Sequence, residues 1–74
     1  MITKDEARNQ IAETINIVSK LITIKKHYVS QCFSGNYGIF IETDKKPEVD
    51  VPREVNGIRV VYRYPQPESE DESI

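Results

Sequence analysis

Residues 55–64, Val55-Asn56-Gly57-Ile58-Arg59-Val60-Val61-Tyr62-Arg63-Tyr64, set the strictest condition on any fold of this chain. Ile58, Val60, Tyr62 and Tyr64 alternate with Arg59, Val61 and Arg63, the period of a strand with one buried side and one largely wet side. The run follows an Asn-Gly pair, residues that accept the positive φ of a tight turn. Such a strand asks for an apolar layer over one of its faces.

The N-terminal segment supplies that layer. Thr3-Lys4-Asp5-Glu6 matches the capping box, in which the Thr3 hydroxyl accepts the Glu6 amide and the Glu6 carboxylate reaches back to the Thr3 amide. Ala7, Ile11, Ile15, Val18 and Ile22 then recur at helical spacing, while Asp5, Asn9, Glu13, Asn16 and Lys20 take the opposite side. The spacing predicts a helix from residue 4 to about 22. Asp5 and Glu6 in the first turn and Lys20 near the end complement its dipole. Ile17 and Leu21 fall beside the stripe and widen it, as suits a helix laid flat on a sheet. Mixed charge on the polar face argues against a helix lying on a membrane surface.

Residues 27–33 read as a strand with Tyr28, Ser30 and Cys32 on one face and His27, Val29, Gln31 and Phe33 on the other. Ser34-Gly35-Asn36-Tyr37-Gly38 has the residues of a hairpin turn, and residues 38–43 form a second, mostly apolar strand. The charged segment Asp44-Lys45-Lys46-Pro47-Glu48 is a loop, and Pro52 suits the first turn of a short helix or a sheet edge. The fold class is α+β: one N-terminal helix packed on a three-stranded, mainly antiparallel sheet in the order α-β-β-β. The segment from Asp44 to Asn56 is long enough to cross over or to return beside its neighbour, which leaves strand order open. The sheet face away from the helix is thinly covered.

The 74 residues suffice for one small domain, assigned to residues 1–65. Residues 66–74 carry Glu68, Glu70, Asp71 and Glu72, no base and almost no apolar residue, the composition of a disordered acidic tail. A solubilising role suits such a tail, and an autoinhibitory or partner-mimicking role is the sharper alternative. Removing those four from the twelve acids leaves eight against ten Lys and Arg, so the body is about +2. No apolar run approaches the ~18 residues of a membrane span, and no basic region precedes an apolar stretch at the N-terminus. The expected location is cytoplasmic, in keeping with a single cysteine, Cys32.

The chemistry-bearing residues are sparse. One Cys and one His, on opposite strand faces, provide neither a metal ligand set nor a nucleophile beside its base. Cys32 is expected as a small apolar residue and His27 as an ordinary surface or structural one. The turn glycines have no following Lys-Ser or Lys-Thr and no helix start, so they make no phosphate loop. Glu42, Asp44, Glu48 and Asp50 are interrupted by Lys45, Lys46 and Pro47 and lack the glycine of a calcium loop. No catalytic, cofactor-binding or metal residue is assigned, no cofactor is implied, and the chain is read as a non-enzyme.

Two features point to partners. Arg59, Val61 and Arg63 project from the last strand, Lys25 and Lys26 precede the first, and Tyr28 or Phe33 is available to stack, a basic and aromatic surface. An open three-stranded sheet also has two edges with unpaired backbone groups. The expectation is a protein-binding or self-associating module, working through an edge or the open face. The alternative is a weak nucleic-acid-binding domain using the same residues, although a body of about +2 lacks the strong field of such proteins. Pro52-Arg53-Glu54-Val55-Asn56-Gly57-Ile58-Arg59-Val60, preceded by Gly38-Ile39-Phe40-Ile41 and a helix, resembles a short helix-hairpin-strand module. That module occurs in small uncharacterised bacterial proteins and beside trypsin-like peptidase domains. The resemblance spans residues 4–64, implies the helix-hairpin-strand order, and brings no catalytic residues. The chain departs from it at His27 to Phe33, where the module has a strand rich in glycine and valine.

Overall fold

The computed structural model describes residues 1–65; the acidic segment 66–74 lies outside the described residues. The order is α1 (Lys4–Asn9), α2 (Ile11–Val18), β1 (Lys26–Gln31), β2 (Tyr37–Glu42), β3 (Glu54–Val55) and β4 (Ile58–Arg63). The α+β class stands, with two corrections. The helical segment is two helices ending at Val18, and the sheet has four strands of mixed direction in the order β1-β2-β4-β3. β1 and β2 are antiparallel, β2 and β4 parallel, and β3 and β4 antiparallel.

α1 starts where the capping box places it. The Glu6 amide donates to the Thr3 hydroxyl at 3.2 Å, and the Thr3 amide donates to Glu6 Oε1 at 2.9 Å. The backbone hydrogen bond from Thr3, followed by the side-chain one, holds the Glu6 carboxyl below its ordinary value. The break falls at Gln10, with neither proline nor glycine nearby. Asn56 Nδ2 donates to Gln10 Oε1 and to Glu13 Oε2, each at 2.8 Å, so the hairpin tip docks on the junction. A contact between residues 46 positions apart thus accompanies a break that local propensity does not announce.

The buried line on the helices is Ala7, Thr14 and Val18, with Ile11 and Ile15 half-buried beside it. Ile17 and Leu21 are 37% and 44% exposed, so they do not widen the packed stripe. Asp5, Asn9, Glu13, Asn16 and Lys20 are all exposed, as their spacing demands. Thr14 enters the core in place of an apolar residue, and its hydroxyl finds no partner among the described residues. A buried, unsatisfied hydroxyl costs about 1–3 kcal/mol. Thr14→Val keeps the shape and removes that cost, so it should raise stability by about 1 kcal/mol and Tm by about 4–8 °C. A lower Tm in a thermal scan would mean that the hydroxyl has a partner.

β1 and β2 are joined by a tight hairpin. The Gly35 amide donates to the Cys32 carbonyl at 2.9 Å, the Cys32 amide donates to the Asn36 carbonyl at 2.8 Å, and Gly35 has φ +93°. This is a three-residue loop closed by a left-handed glycine. Phe33 therefore sits in the turn, fully exposed, rather than in the strand. The second hairpin has φ +52° at Asn56 and +84° at Gly57, the pair of positive values that defines a type I′ turn.

Pro52 itself lies in no helix or strand; the added edge strand, β3, starts two residues after it, at Glu54. From Thr43 the chain crosses the end of β4, with the Thr43 amide donating to the Arg63 carbonyl at 2.9 Å and the Thr43 hydroxyl to the Lys45 carbonyl at 2.7 Å. It then descends beside β4, where the Arg53 carbonyl accepts the Val60 amide at 2.9 Å. The long connection lets β4 run parallel to β2.

The core is Ala7, Val18, Ile39, Ile41, Val55, Ile58 and Val60. Ile39 lies opposite both Val29 and Val60, and Ile41 lies opposite His27 and Tyr62, which aligns one apolar face under the helices. The alternation expected in residues 58–64 holds at its start, where Ile58 and Val60 are buried and Arg59 is exposed; beyond it Val61, Tyr62 and Tyr64 are all half-buried and Arg63 is exposed.

Candidate functional site

The face of the sheet turned away from the helices is built in rows by the strand register. One row is apolar: Tyr28 pairs with Phe40, and Phe40 with Val61. The Tyr28 and Phe40 rings stack with centroids 5.5 Å apart and planes 12° from parallel. A second row, Lys26, Glu42 and Arg63, is charged. Ser30 faces Gly38 on the other side of the apolar row, and Arg59 lies against Gly38. Tyr28, Phe40 and Val61 are half-buried and stand outside the core cluster.

Of the residues singled out in the sequence, Arg59, Val61, Arg63, Lys26 and Tyr28 are brought to this one face. Lys26 Nζ lies 6.0 Å from the Tyr28 ring centroid, a distance at which a cation is attracted to the ring. Lys25 precedes the strand and places its Nζ 3.8 Å from Asp44, an exposed pair worth little in water. The residues sequence reasoning left out are Phe40 and Glu42, the middle strand's contribution. The signal was hidden because Ile39-Phe40-Ile41 is apolar on both sides of the pleat.

Beside β4, where β3 has ended, a groove of about 730 Å³ opens between the 46–51 segment and the strand. Val49, Val51 and Val61 line it together with Arg53 and Arg59 and the acids Glu48 and Glu54. At its inner wall Tyr62 donates its hydroxyl hydrogen to the Pro52 carbonyl at 2.6 Å. Burial pushes the Tyr62 phenol above its ordinary value near 10, with the Arg53 charge acting the other way. Because the folded value is the higher one, this contribution to stability is complete below pH ~10 and is lost as pH rises through the raised value. Tyr62→Phe should cost about 1 kcal/mol at neutral pH and flatten the alkaline decline in a urea titration. An unchanged alkaline limb would remove Tyr62 as its source.

His27 pairs with Ile41 on the helix side of the sheet, whereas Cys32, just past the end of β1, has its Sγ 3.2 Å from where a Gly38 Cβ would stand, on the open-face side. Among the described residues no three His, Cys, Asp or Glu side chains gather as a metal site. No helix among them is long and apolar enough to cross a membrane.

The two sheet edges differ. β3 is two residues long and follows Pro52, a blunted edge. β1 has six residues, neither proline nor glycine, and an unbroken register from Lys26 opposite Glu42 to Gln31 opposite Tyr37. Comparison with family models, with curated proteins and with solved structures finds no match.

Proposed function

We propose that this chain is a non-catalytic module that binds another protein through the open sheet face. The observation that carries the proposal is the apolar row Tyr28, Phe40 and Val61, which crosses three adjacent strands outside the core. A contiguous apolar strip edged by charge is the usual make-up of an interface, with aromatic and Arg residues as anchors. The flanking Arg59 and Arg63 favour a partner surface that presents carboxylates around an apolar centre.

Glu42 separates the same face from a nucleic-acid track. It sits between Lys26 and Arg63 in their row and interrupts the line of cations that a phosphate backbone needs. The test is retention of a partner from native lysate by the parent chain, by Tyr28→Ala with Phe40→Ala, and by Arg59→Gln with Arg63→Gln, each with and without nuclease. The proposal expects a nuclease-resistant protein whose retention falls about tenfold or more with the aromatic pair removed. Capture that vanishes with nuclease, or that ignores the aromatic pair, would replace it.

A further inference from the structure

The backbone hydrogen-bond pattern fixes which groups of β1 point outward. The Tyr37 amide donates to the Ile2 carbonyl at 3.1 Å and the Thr43 amide to the Arg63 carbonyl at 2.9 Å, so odd-numbered residues of β2 face away from β1. The Cys32 amide donates to the Asn36 carbonyl, so even-numbered residues of the two strands face each other. Along an antiparallel ladder the bonding residues alternate. The amides and carbonyls of His27, Val29 and Gln31 therefore point to the free edge, where no strand among the described residues meets them.

We propose that this edge pairs with the same edge of a second copy, antiparallel, about a two-fold axis at Val29. The three outward residues are symmetric about Val29, so this one register satisfies all of them: Val29 with the partner's Val29, and His27 with the partner's Gln31 in both directions. No like charges meet, because Tyr28 falls opposite the partner's Ser30 and Lys26 opposite the partner's Cys32. The basic end of each strand lies beside the neutral end of the other. A two-fold contact of this kind closes on itself, so it gives a dimer rather than a fibre. Both sheets join into one of eight strands, and the two apolar rows come onto one continuous face. The pairing uses the edge and not the face, so it stands or falls apart from the binding role proposed above.

Three variants of exposed positions test it by sedimentation over a concentration series. His27→Glu with Gln31→Glu sets like charges across the axis twice and should weaken the dimer about tenfold, whereas His27→Lys with Gln31→Glu should tighten it by a similar factor. Lys26→Cys places a thiol opposite the partner's Cys32 at a non-bonded pair, where Cα atoms lie about 4.5 Å apart, inside the range a disulfide spans. Oxidised glutathione should then give a covalent dimer that is lost on adding Cys32→Ser. Within one copy the same two positions are about 20 Å apart, too far to join. A parent chain that stays monomeric into the millimolar range would overturn the proposal. So would a dimer indifferent to both charge pairs, or cross-linking that survives Cys32→Ser.

Discussion

Ile39→Ala should leave the chain largely unfolded at 25 °C. Ile39 is fully buried at the middle of the central pair, opposite Val29 on one side and Val60 on the other. Truncating a buried Ile to Ala costs about 2–5 kcal/mol through lost transfer energy and the cavity left behind. A domain of this size draws only about 3–5 kcal/mol of net stability from its core, so one such change removes most of it. Urea titration followed by circular dichroism should show no folded baseline for the variant. A midpoint within ~0.5 M of the parent would mean that the stability resides elsewhere.

Gly38→Ala should be the second most damaging change, although it adds a single methyl. A Cβ at Gly38 would lie 2.9 Å from the Arg59 carbonyl oxygen and 3.2 Å from Cys32 Sγ. The first of these neighbours is backbone of the adjoining strand, which cannot turn aside. Elsewhere, Gly→Ala at a permissive site stabilises by about 0.4–1 kcal/mol because the unfolded chain loses freedom. Here overpacking between β2 and β4 reverses the sign, for a net loss of about 1–3 kcal/mol. Gly57 gives the contrast, since nothing lies within 4 Å of its would-be Cβ and the cost there comes from its φ of +84°. Equal or greater stability of Gly38→Ala would show that the strands can part at this point without penalty.

These residues also show which parts of the molecule a sequence declares. The capping box at Thr3, the alternation in residues 58–63 and the Asn56-Gly57 turn are local, because each is decided by neighbours a few positions away. The break at Gln10 is invisible locally, since Asn56, which binds there, comes from the far end of the chain. Thr14 carries a hydroxyl, so an apolar stripe passes over it although it is fully buried. β3 is too short for any periodicity, and the parallel pairing of β2 with β4 depends on where the 43–53 connection runs. The candidate face followed the same rule. Arg59, Val61 and Arg63 were legible from one strand's alternation, whereas Phe40 became visible through its pairing with Tyr28 and Val61.

Site-specific photo-crosslinking in the native lysate tests binding through the open sheet face. A photoreactive phenylalanine is placed at Val61, in the apolar row of the open face, and in a second variant at Asn16, on the exposed side of α2. Binding through the open face gives a protein adduct from position 61 and none from position 16. Equal adducts from both positions, or an adduct from position 61 that contains nucleic acid alone, would contradict it.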